Sequence, residues 1–251
     1  VFTSATLATD RGMGHWMQRS GLDPEHVVQR QYSSPFDYAG RVLLASASQG
    51  PDPGHREHSR WLAESVRELV QASAGGALVL FTSYAALEAV ASAIREALEE
   101  AGITMLQQGS RDRARLLREF ADNRNSVLLG TDSFWEGVDT PGDSLRQVII
   151  TRLPFRVPDD PVFAARSERI DAEGGNAFAD LAIPHAITRL RQGFGRLMRR
   201  SDDSGVVSVL DTRLHSRRYG ARFLDALPPA RLATGSVAAL AEAVRDFFQT
   251  G

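Results

Sequence analysis

The stretch ALVLFTSYAALEAVASAIREALEEAGITMLQ, residues 77–107, decides the fold. It opens after the Gly75-Gly76 break with a continuous apolar run, ALVLFT, that reads as a buried strand. Residues 84–101 follow, rich in Ala, Leu and Glu, and read as a helix stopped by Gly102. ITMLQ (103–107) is apolar again and reads as a second strand. Strand, helix and strand in immediate succession make the crossover unit of a parallel sheet.

The same texture extends in both directions. On the N-terminal side, Trp61, Leu62, Val66, Leu69 and Val70 recur at helical spacing within 56–73, and VLLASA (42–47) reads as a short strand. On the C-terminal side, 111–122 reads as a basic amphipathic helix, and SVLLG (126–130), LRQVIIT (145–151) and GVVSVLD (205–211) as buried strands. Residues 152–175 are loop and helix with three Pro; helices are expected over about 184–200, 215–226 and 236–248. Residues 9–54 are poor in periodicity, and VFTSATL (1–7) reads as a buried strand end. Near-continuous apolar strands, each followed by a helix, predict an α/β domain whose mostly parallel sheet is covered on both faces. In such sheets ligands sit beyond the carboxyl ends of the strands.

The 251 residues are 43% hydrophobic and 24% charged with a net charge of -2, which excludes wholesale disorder and argues against a polybasic nucleic-acid binder. All 29 basic residues counted as Lys plus Arg are Arg. A P-loop Lys, a Schiff-base Lys and a Lys general base are thereby excluded from this chain, because Arg stays protonated. The Cys count is zero, which excludes disulfides, thiolate nucleophiles, iron–sulfur clusters and Cys-type zinc sites. The apolar runs are too short to span a membrane. Because the sequence starts at Val1, a piece cut from a longer protein is expected.

The helix expected over 184–200 carries the strongest chemical signal. At ~100° per residue, Ile187, Leu190, Phe194 and Leu197 fall within about 80°, with Ile183 in line, whereas Gln192, Arg196 and Arg199 fall within about 60° on the other side. Gly193 and Gly195 each cost up to about 1 kcal/mol in a helix, which suggests that something approaches closely there. Forked guanidinium groups match phosphate oxygens, although a solvated arginine face gives the same pattern. In the loop TDSFWEGVD (131–139), Glu136 and Asp139 suit a ribose hydroxyl or an arginine, Gly137 allows close backbone approach and Trp135 suits base stacking; helix capping and a core anchor are the plainer alternatives. Arg111, Arg113, Arg115 and Arg118 fit either a strand-tracking groove or a solvated helix face. His55 and His58 have no third metal ligand nearby, and Asp159-Asp160 before Pro161 reads as a turn and helix cap.

Taken together, the motifs resemble those of the DinG/XPD-type helicases of superfamily 2, in the bacterial DinG branch. Ser4-Ala5-Thr6 resembles motif III, LFTSY (80–84) motif IV, LLGTDSFWEGVD (128–139) motif V with LPF after it (153–155), and RQGFGRLMRR (191–200) motif VI. SPFDY (34–38) and VVSVLDTR (206–213) followed by YG also suit that branch. The resemblance covers residues 1–228, with the motifs in the family's order.

That resemblance implies the RecA-like, P-loop-NTPase-like fold of a helicase C-terminal domain, in three α/β/α layers. It implies that 1–30 form the trailing edge of a first motor domain and 31–251 the second. The activity implied is ATP-driven translocation on single-stranded DNA and unwinding, with the chain alone inactive. ATP and Mg would be held mainly by the first motor domain, with no metal or iron–sulfur cluster in this chain. Carried over by motif, Arg196 and Arg199 become arginine fingers assisted by Gln192. Glu136, Gly137, Asp139 and Thr6 couple nucleotide to DNA, and Ser83, Gln108, Arg111, Arg152 and Trp135 belong to the DNA groove. The partners implied are single-stranded nucleic acid and the first motor domain, in a bacterial cytoplasm at the nucleoid. The competing reading is a non-catalytic α/β module that binds nucleic acid or protein. A Rossmann enzyme is disfavoured because no G-x-G-x-x-G follows a strand.

Overall fold

The computed structural model of the chain describes residues 1–4, 12–135, 144–156 and 160–250. Among these residues seven strands form: β1 (Val42–Ala47), β2 (Ala77–Leu80), β3 (Thr104–Gln107), β4 (Ser126–Gly130), β5 (Gln147–Ile150), β6 (Gly205–Val209) and β7 (Arg231–Gly235). The helices among the described residues are α1 (Gly14–Ser20), α2 (Tyr38–Arg41), α3 (His58–Ala72), α4 (Tyr84–Glu100), α5 (Arg113–Asp122) and α6 (Asp132–Trp135). They continue with α7 (Pro161–Ala172), α8 (Ile183–Phe194), α9 (Arg213–Ser216), α10 (Gly220–Asp225) and α11 (Val237–Thr250).

The strands pair in the order β3-β4-β2-β5-β6-β1-β7, and every pairing is parallel. The period-2 alternation of side chains divides the core in two. Leu78 and Leu80 of β2, Leu128 of β4, and Val148 and Ile150 of β5 face one layer. Ala77 and Val79, Val127 and Leu129, and Ile149 face the other. On that second side lie α3, α4 and α11, whose stripes Leu62-Val66-Leu69, Leu87-Val90-Ile94 and Val237-Leu240-Val244 are buried. The first side is covered by α5, α6, α8, α9 and α10. Each Leu or Phe so buried contributes about 1.5–3 kcal/mol relative to exposure.

The long strands and helices expected from the sequence are present, with five corrections. The helix expected to reach Arg200 ends at Phe194, because after Gly195 the backbone closes i→i−3 bonds, Arg196 N–H to Gly193 O (3.2 Å) and Leu197 N–H to Phe194 O (3.3 Å). It also begins earlier, through a π-helical turn over Phe178–Ala182 whose Ala179 N–H is capped by the Asn176 side chain. Residues 215–226 are not one helix: α9 and α10 are separated by extended Arg217, and Gly220 lies so close to Leu214 O that a Cβ there would be 2.0 Å away. RLATG forms the edge strand β7, which no apolar run announced. Finally, Val1–Ser4 are exposed and form no strand, since no strand of the sheet pairs with them. No helix of the described residues is long and apolar enough to cross a membrane.

Candidate functional site

The strand order sets the carboxyl ends of the seven parallel strands in a row, and most of the residues singled out in the sequence stand along it. From one edge inward come Gln108 after β3, Thr131 after β4, Ser83 after β2, Arg152 after β5 and Asp211 to Arg213 after β6. Their side chains lock the row together. Gln108 Oε1 accepts both the Thr131 N–H (2.6 Å) and the Thr131 hydroxyl (3.0 Å), while Tyr84 donates its hydroxyl to Gln108 O (3.0 Å). Gly109, at φ +91°, passes so near that hydroxyl that a Cβ would sit 2.2 Å from it. Ser83 is the N-cap of α4, its hydroxyl accepting the Ala86 N–H at 3.3 Å.

Arg111 pairs with Glu119, which Arg115 also holds at 2.8 Å. The hydrogen bond from Arg115, more than the charge of Arg111, keeps the Glu119 carboxyl below its ordinary pKa. This part of the basic run is therefore an exposed, ion-paired helix face. Arg152 is exposed overall, but partial desolvation and its neighbour Arg213 lower its pKa. Arg213 itself is fixed. Fully buried Asp211 accepts its Nε (2.9 Å) and Nη2 (2.7 Å) as well as the Leu153 N–H (2.8 Å). Burial opposes the charge of Arg213, and the bonds to Asp211 more than offset it. The carboxylate thus joins β6 to the Leu153–Phe155 turn, and the Arg213 guanidinium lies 5.5 Å from the Phe155 ring centroid. This clamp was legible only as a strand-end position in the sequence; the Asp-x-Arg spacing at 211–213 is the signal that marks it.

Trp135 corrects the base-stacking expectation. It is fully buried, its indole N–H is donated to Phe81 O at 3.1 Å, and Gly193 packs on its six-membered ring. The close approach implied by Gly193 is therefore the approach of Trp135, and not of a ligand. Arg189 lies 5.4 Å over the same indole and binds Asp132 at 2.6 Å. One tryptophan and one arginine so tie the end of β2, α6 and α8 into a unit. No separate role for Arg189 is legible in the sequence. Glu136, Gly137, Asp139 and Thr6 lie outside the described residues.

At the end of α8, Gln192 and Arg196 are half-buried and Arg199 is exposed. They do not form one helical stripe, because the helix stops between them. Instead, buried Leu197 and Met198 pin the turn into the core, and Arg196 and Arg199 flank that anchor. Arg196 Nε donates to Gln192 O (3.2 Å), and Asp203 Oδ2 accepts the N–H groups of Arg199 (2.6 Å) and Arg200 (2.7 Å). Two guanidinium groups on a short braced turn suit the oxygens of a phosphate. Among the described residues no group of three or more His, Asp or Glu is placed to hold a metal ion.

Comparison with known proteins bears on this arrangement. A family model described as the helicase C-terminal domain matches residues 66–230. The ATP-dependent DNA helicase YoaA of Escherichia coli is 40% identical over 230 residues, covering 92% of this chain and 35% of that protein. The ATP-dependent helicase DinG of Mycobacterium tuberculosis is 39% identical over 231 residues, covering 91% of this chain and 34% of that protein. The chain spans about a third of the length of these curated relatives. The structure of Xpd4 from S. tokodaii superposes with a TM-score of 0.56 at 17% identity, covering 84% of this chain and 42% of that one, a likeness of fold alone.

Proposed function

The chain belongs to the helicase C-terminal domain family, and from that premise we propose that it is the second RecA-like motor domain of a DinG/XPD-type ATP-dependent DNA helicase. In this reading residues 31–251 form that motor and 1–30 form the trailing edge of a first motor domain, which supplies the Walker motifs. The observation that carries it is the braced turn after α8. Arg196 is tied to Gln192 and Arg199 is held through its N–H by Asp203, both beside a core anchor.

Bound ATP supplies the phosphoryl group, and Mg is held by the first motor domain. This chain's part is electrostatic. Arg196 and Arg199 present forked donors where charge builds on the γ-phosphate, an effect worth ~10³–10⁵ in rate in related NTPases. Gln192 orients Arg196 through its main-chain carbonyl or contacts the nucleotide with its side chain. Glu136, Gly137, Asp139 and Thr6 couple that event to the strand. Ser83, Gln108, Arg111 and Arg152 touch the backbone of single-stranded DNA along the carboxyl row, with Arg111 exchanging Glu119 for phosphate. Arg213, fixed by Asp211, keeps Arg152 company there. The working place is the bacterial cytoplasm, at the nucleoid.

The test is ATP turnover in the natural reading frame that carries this chain, with and without single-stranded DNA. Arg196→Ala is expected to lower turnover by at least ~10³-fold with an unchanged melting temperature. Normal turnover in that variant removes Arg196 from the mechanism. The 251-residue chain by itself is expected to hydrolyse no ATP, and activity that copurifies with it overturns the division of labour proposed here.

A further inference from the structure

The amino ends of the strands, opposite the carboxyl row, hold a cavity of about 630 Å³ that the helicase reading does not use. A strand of four to six residues separates the two ends, roughly 13–20 Å. Arg41, Arg124, Arg146 and Arg231 line the cavity, together with Phe247 and Phe248 at the end of α11. Among the described residues none of these four arginines forms an ion pair with a carboxylate. Three carboxylates share the lining, but two are committed to backbone: Asp37 accepts the Gly40 N–H (2.9 Å), and Asp203 those of Arg199 and Arg200. The third residue, Asp202, offers its main-chain carbonyl to Arg41 at 2.9 Å.

The arginines are held in place before any ligand arrives. Arg146 lies 4.1 Å from the Phe248 ring centroid and donates one N–H to Ser73 O at 2.9 Å. Its stem fits against Gly76, at φ +61°, where a Cβ would come within 3.1 Å of it. Arg231 lies 5.0 Å over Phe247. Each of these two rings thus carries a guanidinium group over one face, which fixes Arg146 and Arg231 at the cavity. Burial and the nearby charge of Arg124 both lower the pKa of Arg146, so two like charges stand together with neither in an ion pair among the described residues. Arg124 makes no side-chain hydrogen bond or ion pair among the described residues. A dianion offsets such a pair better than a single carboxylate, and forked guanidinium groups match phosphate oxygens. The volume lies in the range of small-molecule sites.

We propose that this cavity binds a small free polyphosphate, of the pyrophosphate or nucleoside-diphosphate class, through Arg124 and Arg146 with Arg41 and Arg231 at its margin. The site goes beyond the helicase reading and stands apart from the nucleic-acid row. It shares one residue with the candidate finger turn, since Asp203 lines the cavity and fastens the Arg199 and Arg200 N–H groups. Occupancy is therefore felt at those two amides.

The test is calorimetric titration of sodium pyrophosphate into the 251-residue chain at constant ionic strength, with amide NMR shifts recorded in parallel. Saturable one-to-one binding is expected, weakened about tenfold or more in Arg124→Ala and in Arg146→Ala. Arg124 bears no packing role, so its variant keeps the test valid if Arg146→Ala loses stability. Shifts are expected at Arg199, Arg200 and the first residues of β5 and β6. No saturable binding, affinity unchanged in Arg124→Ala, or shifts confined to the carboxyl row overturns the proposal. So does displacement of pyrophosphate by a single-stranded oligonucleotide or an Asp-rich peptide at lower concentration than pyrophosphate itself.

Discussion

The two faces of one sheet are covered in different ways. On one side α3, α4 and α11 run 15, 17 and 14 residues, each with a single unbroken apolar stripe. On the other, α6, α9 and α10 run four, four and six residues, and α8 stops between Gln192 and Arg196. The long-helix face carries few of the candidate functional residues. The short-element face carries Trp135, Arg189, Gln192, Arg196 and Arg213. A long helix fixes a stripe of side chains in one direction only. Short elements, each pinned by one or two buried anchors, turn several side chains toward one edge. The difference separates scaffold from site.

That separation is open to direct attack. The largest expected effect on stability is at Trp135, where the short-element face converges. Trp135→Ala is expected to cost about 3–5 kcal/mol in urea unfolding, because it removes a fully buried ring and leaves Phe81 O without its donor. A variant that unfolds like the wild type, with oligonucleotide binding lowered, restores the base-stacking reading. Leu69→Ala, on the long-helix face, is expected to cost about 2–5 kcal/mol. It is expected to leave oligonucleotide affinity unchanged in the folded protein. A specific loss of binding there breaks the division into scaffold and site.

Gly193 and Gly195 sharpen the comparison at smaller scale. A Cβ on Gly193 meets Trp135 Cζ3 at 3.0 Å, Trp135 Cε3 at 3.2 Å and Ile150 Cδ1 at 3.3 Å. Both neighbours are fully buried, and the indole is fixed by its bond to Phe81. Overpacking of about 1–3 kcal/mol therefore outweighs a helix-propensity gain of up to about 1 kcal/mol. Gly193→Ala is expected to destabilise by about 1 kcal/mol. Gly195→Ala meets only backbone, Arg191 O at 3.2 Å and Gln192 O at 3.7 Å, and sits exposed; it is expected to be near neutral. Equal effects at the two positions refute the account of Gly193 as a seat for Trp135.

How far the sequence could be read follows the same division. Residues 58–72 and 84–100 could be recognised because a 3.6-residue period sustained over four turns is a strong signal, and β2, β4 and β6 because fully buried parallel strands read as near-continuous apolar runs. The end of α8 was misplaced because Leu197 keeps the apolar period going. What stops the helix is the geometry after Gly195, which periodicity does not register. Strand β7 escaped because an edge strand with Leu232 56% exposed need not be apolar. At the site, the identity of Arg196 and Arg199 was legible as a motif. Trp135 was ambiguous, since an indole suits a base and a core equally, and only burial decides. The bond from Leu153 N–H to Asp211 and the Arg189–Asp132 pair join residues 58 and 57 apart, which no local pattern encodes.

The smallest effect concerns the border between the two faces, where one histidine from each meets the carboxyl row. His58 opens α3 and is buried, with Nε2 lacking a hydrogen-bond partner among the described residues. Burial, and then the charges of Arg152 and Arg213, lower its pKa against the opposing pull of Asp211 and Asp52. His215 in α9 is lowered by burial and shares a 2.9 Å hydrogen bond with Ser46 Oγ. Because both are lowered on folding, the unfolded chain takes up protons first as pH falls. Their stabilising contribution is complete above the ordinary histidine value of about 6.5 and is lost progressively below it. Urea unfolding at pH 7.5 and 5.5 is expected to show wild-type stability falling with pH. His58→Phe, which retains a ring against Trp61 in place of the 5.7 Å contact, is expected to fall less. The retained slope in that variant then belongs largely to His215 and is expected to diminish in the double variant with His215→Gln, whose amide can still reach Ser46. Parallel pH profiles for wild type and His58→Phe mean that His58 is protonated alike in both states. The long-helix face then contributes nothing to acid sensitivity at this border, and the short-element face alone accounts for it.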